Sequence, residues 1–327
     1  MKTDLRSPLA NGIRTFLCHK RALGKHLEKP ELVFRTLDRY LVARGVRDAG
    51  DVTPAIIDDF IRSRNRSSAR SFNVLLSVLR GLFDWLVRRE ILATSPLQTP
   101  SRRVPARRIP FLFTTEQAKR LLGAAARLKD SPNAASRGEI YRMTFLLLYG
   151  LGLRVGEVSR LRRKDVDLDR RLLVIRQTKF GKSRLVPFGP KMSQEISEFL
   201  RRRERSGPMA LEFPLFSFAK NRQTPIGAKS ISWTFHKLLP ELDLEIPVGV
   251  VPPYLHCLRH SFAVGTLLGW YRTGLDPAAR LLDLSTFLGH VSPSSTAVYL
   301  TITAELLECA CQRFARFAAP ALKELIS

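Results

Sequence analysis

The chain has 327 residues, 45% apolar and 25% charged, which fits about two globular domains whose cores need no staples. Lys and Arg number 54 against 29 Asp and Glu, a net charge of +25, and residues 1–110 alone hold 22 basic and 10 acidic side chains, so the excess is no single basic tail and two basic halves fit the gripping of a polyanion, nucleic acid first. The four cysteines (Cys18, Cys257, Cys309, Cys311) form no Cys-x-x-Cys pair, which argues against zinc and for reduced, mostly buried thiols in a cytoplasmic protein, and neither a signal peptide nor an apolar run near the roughly 20 residues of a membrane span is present.

From the N-terminus, residues 11–93 read as about four helices. Leu32, Leu37, Tyr40 and Leu41 share one helical face. Thr53-Pro54 opens a helix carrying Ile57, Phe60 and Ile61, with Thr53 as N-cap and Pro54 as first helical residue. Leu75, Leu76, Leu79, Leu82, Phe83 and Leu86 keep the period through a longer helix, whose polar face holds Arg80, Arg88 and Arg89. Residues 94–110 change character: Pro96, Pro100, Pro105 and Pro110 stiffen a basic linker, and Arg102, Arg103, Arg107 and Arg108 are candidate contacts to a phosphate backbone. A second domain begins at residue 111. Thr114-Thr115-Glu116 opens a helix, Ile140–Tyr149 reads as a buried one, and Asp165–Asp169 is turn-like. Leu172–Gln177 and Arg184–Phe188 flank a Lys-Phe-Gly-Lys tip as a β-hairpin. Helices are predicted near 191–203, 229–240, 255–270, 293–300 and 303–317, with a poorly patterned stretch at 206–227.

Five local signals along the second domain carry chemistry. In Tyr149-Gly150-Leu151-Gly152-Leu153-Arg154-Val155-Gly156-Glu157 a helix ends in glycines and an arginine opens the next helix, beside free backbone N–H groups that suit a phosphate. A lysine on the hairpin tip, Lys179 or Lys182, can give a proton to a leaving oxygen, and Lys182 and Arg184 on the same hairpin are candidate DNA contacts. His256-Cys257-Leu258-Arg259-His260 sets His256 and Arg259 three apart on one helical face, where imidazole and guanidinium together can hold one phosphate. Leu288-Gly289-His290 ends a helix on a glycine. Ser292, a plausible N-cap, and Pro293 then start a short helix that reaches Tyr299. Taken singly, each has a plain structural reading: a surface arginine, a basic turn, a core histidine, a helix cap, a core tyrosine.

In chain order the set reads Arg154, Lys179, His256, Arg259, His290, Tyr299, and this order and context resemble the tyrosine recombinases, also called phage integrases. The motif resemblance covers residues 111–317, and the N-terminal region is similar to the family's core-binding domain in size and composition only. The resemblance implies a mainly α fold with a small antiparallel β-sheet (α+β): an N-terminal helical, SAM-like core-binding domain (1–93), the linker (94–110) and a catalytic domain (111–327). It implies that Tyr299 attacks the scissile phosphate to form a 3′-phosphotyrosine, that Arg154 and Arg259 clamp the non-bridging oxygens, and that Lys179 protonates the leaving 5′-oxygen. His256 then accepts a proton and His290 bonds the phosphate. Neither metal nor ATP is implied, nor any other cofactor: guanidiniums and imidazoles supply the positive charge, and the phosphotyrosine conserves the bond energy for rejoining. By the same resemblance the partner is double-stranded DNA, held by a clamp of two domains within a homo- or hetero-tetrameric synapse, at the bacterial nucleoid in the cytoplasm. Glu157, in the Arg-Val-Gly-Glu turn, is expected to be structural and to hold an arginine, and His260 is expected to pack.

The sequence leaves three alternatives: a non-catalytic DNA-binding protein that kept the fold, a type IB topoisomerase, and a metal-dependent nuclease or transposase. The intact six-residue set weighs against the first, and the last needs a cluster of carboxylates that the sequence does not offer. Gly269-Trp270-Tyr271-Arg272 and Thr301-Ile302-Thr303 look more like recombinases of bacterial mobile elements, whether transposon or phage. The helix 304–317, with Leu306, Leu307, Cys311 and Phe314, and the tail after it are expected to pack on a neighbouring protomer.

Overall fold

The computed structural model describes residues 5–25, 27–105, 108–176, 183–207, 209–218, 223–290 and 292–301, with Glu308 and Cys311 besides. The chain forms two compact units, Met1–Arg107 and Arg108–Ser327. Both are helical, and the second holds a three-stranded antiparallel sheet, so the expected mainly α fold with a small sheet is the fold observed. Among the described residues no helix is long and apolar enough to cross a membrane.

The first unit packs four helices: α1 (Ala10–Ala22), α2 (Glu28–Ala43), α3 (Pro54–Arg62) and α4 (Ala69–Arg88). Every apolar residue that set the period of α4 is buried, and Phe16 meets Phe34 and Trp85 edge-on, each at 5.7 Å between ring centres. At Gly12 a Cβ would lie 2.5 Å from the Leu86 side chain, so α1 approaches α4 only because this position is glycine. Two details depart from expectation. Thr53 is the N-cap residue of α3 but its side chain makes no capping bond, and Leu32 is exposed on α2, because the buried stripe there runs through Phe34, Leu37 and Leu41.

The proline-arginine stretch is largely bonded down. The Thr99 hydroxyl meets the Asp58 carboxylate, Asn73 and the Arg102 backbone exchange two hydrogen bonds of 2.8 Å, and the Arg102 guanidinium lies 3.8 Å over the Phe72 ring while donating to the Arg66 carbonyl. On the other side, Ile109 pairs with Val250, and Phe111 and Phe113 enter the core of the second unit.

That core is built on α6 (Arg137–Gly150), which packs against α5 (Thr115–Ala126), α8 (Pro190–Arg205) and α10 (Cys257–Arg272). Helix α5 opens on a reciprocal cap: the Thr114 hydroxyl accepts from the Gln117 N–H at 3.2 Å, and the Gln117 side chain accepts from the Thr114 N–H at 3.0 Å. The hairpin is present as β2 (Leu172–Ile175) and β3 (Arg184–Pro187), joined by β1 (Val166–Asp167) where a turn was expected. Two residues are too few to show alternation in a sequence, so β1 had no signal of its own. The remaining α-helices with described bounds are α7 (Val155–Arg160), α9 (Ala228–Leu238), α11 (Leu281–Leu288) and α12 (Ser294–Ala297), the last continuing as a 3₁₀ turn, Val298–Thr301. Pro293, not Ser292, is the N-cap residue of α12, and Tyr299 lies in the 3₁₀ turn. The expectation of mostly buried thiols needs correction: Cys257 is buried, but Cys18 and Cys311 are exposed. The expected helix 304–317 and the tail lie outside the described residues, apart from Glu308 and Cys311.

Candidate active site

Residues far apart in the chain converge on the C-terminus of α11. Gly289 takes the left-handed conformation there (φ +67°), the His290 N–H bonds the Ser285 carbonyl and the Gly289 N–H bonds the Thr286 carbonyl. This double closure is a Schellman ending, and it leaves the next carbonyls without helical partners. Three arginines take them in succession. Arg184 Nε donates to Phe287 O at 2.8 Å, Arg259 Nη2 to Leu288 O at 2.7 Å, and Arg154 Nη2 to Gly289 O at 2.8 Å. Cations at the negative end of a helix also gain from its dipole. A Cβ on Gly289 would sit 2.8 Å from the Arg184 guanidinium, so the cluster closes only around a glycine.

Glu157 locks the arginines from the other side. It is 4% exposed, caps α7 by accepting from the Arg154 N–H at 2.9 Å, and accepts from Arg154 Nη1 and from Arg184 Nη1 and Nη2 at 2.8, 2.8 and 2.9 Å. Burial on its own would raise the Glu157 pKa, but the bonds and charge of Arg184, then Arg154, outweigh it and hold the carboxyl down at about 2. Glu157 thus has the structural role expected of it.

Arg259 is 1% exposed and also donates to Gly152 O at 2.6 Å. Gly152 has φ +59°, and a Cβ there would strike the Phe262 ring at 2.5 Å, so the glycine turn after α6 exists to bring a carbonyl to Arg259. Burial, then the nearby Arg154, push the Arg259 pKa down to about 9, which leaves it a cation at neutral pH. Its Nε is buried and has no hydrogen-bond partner among the described residues, a donor held out of water with nothing to donate to.

His290 Nδ1 lies 2.6 Å from the Thr296 hydroxyl, and its ring stacks on Tyr299 at 6.4 Å. Burial, then the charge of Arg259 and Arg154, push the His290 pKa down to about 4, so the ring is neutral at physiological pH. A Tyr299 phenolate and Arg259 stabilise one another. Tyr299 itself is 3% exposed, packed with Ala263, Val264 and Leu267 of α10 and Leu284 and Leu288 of α11.

The structure therefore brings Arg154, Arg259, His290 and Tyr299 together, with His256 exposed at the N-cap of α10. Lys179, Lys182 and Arg107 lie outside the described residues. Of the candidate DNA contacts, Arg102, Arg103 and Arg108 are exposed, and the Arg102 guanidinium is spread over Phe72. Arg184 turns inward, its side chain only 10% exposed, because Glu157 and the α11 carbonyl take its whole guanidinium. His260 is the residue that sequence reasoning missed. It is 4% exposed, yet its Nδ1 is 2.8 Å from the Tyr299 hydroxyl and its Nε2 is 3.2 Å from that of Tyr254.

The model of the phage integrase family matches residues 112–305. A putative integrase/recombinase of Sinorhizobium fredii, y4rE, is 30% identical over 305 residues, covering 93% of this chain and 95% of its own. A second from the same organism, y4rB, is 38% identical over 217 residues, covering 65% and 68%. Tyrosine recombinase XerC of Mesorhizobium japonicum is 29% identical, covering 94% and 95%. Among solved structures, the integrase of transposon Tn1549 in complex with a circular intermediate DNA shares the fold with a TM-score of 0.62 at 17% identity, covering 93% of this chain and 99% of that one. The chain belongs to the phage integrase family and is a tyrosine-type site-specific DNA recombinase.

Proposed function

We propose that this recombinase cleaves and rejoins double-stranded DNA through a 3′-phosphotyrosine on Tyr299, with neither a metal ion nor ATP. The observation that carries the proposal is the buried Nε of Arg259, without a hydrogen-bond partner among the described residues, beside Arg154, His290 and Tyr299. A buried donor without an acceptor is costly, and a phosphate oxygen is the acceptor that two adjacent guanidiniums favour. Arg154 and Arg259 hold the non-bridging oxygens and stabilise the charge that builds on them in the transition state. If the Thr296 hydroxyl donates to His290 Nδ1, the neutral ring carries its proton on Nε2 and presents it to the phosphate. His256 serves the phosphate from the open side, and Lys179 gives the leaving 5′-oxygen its proton. A phenol with an unperturbed pKa of about 10 needs such surroundings to react at neutral pH.

The Tn1549 integrase neighbour was solved in complex with a circular intermediate DNA and a lambda integrase dimer (TM-score 0.58) bound to a COC′ core site, which supports duplex DNA as the substrate here. The relatives y4rB and y4rE and the Tn1549 integrase favour a mobile-element role. Recombination joins two duplexes, so assembly into a homo- or hetero-tetramer at the bacterial nucleoid is part of the proposal.

Covalent trapping tests it. The protein is incubated in EDTA, without ATP, with nicked duplexes drawn from the flanks of its own gene. A denaturation-resistant protein–DNA adduct is expected from wild type and none from Tyr299→Phe. DNA binding with no adduct on any duplex would sink the proposal.

A further inference from the structure

The resemblance assigns the proton of the attacking tyrosine to His256, but the imidazole on the Tyr299 hydroxyl is a different one. We infer that His260 is the proton acceptor for Tyr299 and passes the proton on to Tyr254. The inference rests on Tyr299 being the nucleophile.

The geometry is a short chain of three groups. The Tyr299 hydroxyl lies 2.8 Å from His260 Nδ1, and His260 Nε2 lies 3.2 Å from the Tyr254 hydroxyl. His260 is 4% exposed and Tyr299 3%, whereas Tyr254 is 37% exposed, so the chain begins in the core and ends at solvent. Local structure fixes both ends. The Tyr254 carbonyl accepts the Cys257 N–H at 2.8 Å in the turn that starts α10, which sets its ring against His260 one turn and a half further on. The 3₁₀ turn carrying Tyr299 docks on the apolar face of α10. With Nδ1 accepting, the ring's one N–H proton sits on Nε2 and points at Tyr254.

The step balances. The Tyr299 O–H bond breaks as N–H forms at His260 Nδ1. His260 releases its Nε2 proton to the Tyr254 oxygen, and Tyr254 gives its own hydroxyl proton to water. The Tyr299 oxygen bonds phosphorus as the bond to the 5′-oxygen breaks, and that oxygen takes its proton from Lys179. The charged and titratable groups around the relay favour a proton that leaves. Arg259 and Arg154 lie across the site, His256 meets the His260 ring edge-on at 4.7 Å, and His290 stacks on Tyr299. Glu157 is already neutralised by two arginines.

His260→Asn tests the inference, because its side-chain oxygen replaces Nδ1 as an acceptor without taking up a proton. On the nicked duplexes, adduct formation at pH 7 should be slower by on the order of 10²-fold and should recover as pH rises and hydroxide takes the proton. Tyr254→Phe should give a smaller loss with a flattened pH profile. Should either variant fold poorly, ¹⁵N spectra of the six histidines in the full wild-type chain decide the tautomer. His260 should be protonated on Nε2, with its Nδ1 resonance moved by Tyr299→Phe. A proton resident on Nδ1 overturns the relay. So does an Asn variant that cleaves at the wild-type rate or faster with an unchanged pH profile, the faster rate meaning that the contact only restrains Tyr299. An adduct formed by Tyr299→Phe would instead remove the nucleophile assignment itself.

Discussion

Glu157 is the residue on which the arginine cluster turns. One buried carboxylate faces two guanidiniums and caps a helix, so replacing it leaves two cations with no counter-charge. Glu157→Gln keeps the shape and removes the charge, and breaking a buried pair in this way costs about 3 kcal/mol. The sign with pH follows from its pKa, near 2 in the fold against 4.5 when unperturbed. Its stabilisation is complete above pH 4.5 and is lost as pH falls through 2. Urea unfolding at stepped pH should therefore show wild type weakening over that window, and the Gln variant should lack that share of the slope. An identical slope in both would mean that Glu157 is not held as a carboxylate. Arg184 belongs to the same device, so its effect on recombination is expected through Arg154 and Glu157 and not through direct contact with DNA.

At the scale of elements, the C-terminus of α11 acts as a template. A helix normally leaves its last carbonyls to water. Here three consecutive ones index three arginines from β3, α10 and the start of α7. Gly289→Ala tests the template. An L-residue in the left-handed region costs about 1–2 kcal/mol, and the added Cβ also pushes on Arg184. Thermal unfolding should fall accordingly and adduct formation should fall with it. A variant that loses stability but cleaves at full rate would show that the carbonyl contacts only hold the fold. Sequence reading found the glycine stop and the helix it ends, because Schellman glycines have a local cause. The carbonyl-to-arginine pairing had no such cause, since it depends on where β3 and α10 run.

At the scale of the whole molecule, positive charge in both units predicts that DNA affinity falls steeply with salt, each phosphate neutralised contributing about 0.9 to the slope of log affinity against log salt. Arg102 and Arg103 are adjacent in sequence but differ in use. Both are exposed, but Arg102 is engaged with Phe72, Asn73 and the Arg66 carbonyl. Arg103→Ala should lower the salt slope by about 1. Arg102→Ala should instead lower the stability of the first unit by about 0.5–1 kcal/mol, mostly through the lost cation–π contact. The reverse pattern, read from binding isotherms at several salt concentrations beside melting curves, would make Arg102 the phosphate contact.

The sequence by itself determined the helices with an apolar period, the turns that need glycine, the hairpin, and the order of chemical motifs from Arg154 to Tyr299. Each is written in local spacing, which a linear chain can carry. Only the tertiary structure decided that Arg184 faces Glu157 and not solvent, that Arg102 lies on Phe72, and that His260 meets the Tyr299 hydroxyl. A buried histidine on an apolar helix looks the same in sequence whether it packs or reacts. Its role here is set by the docking of the 3₁₀ turn at Val298–Thr301 on α10, a contact made across 39 residues by apolar burial that carries no motif of its own.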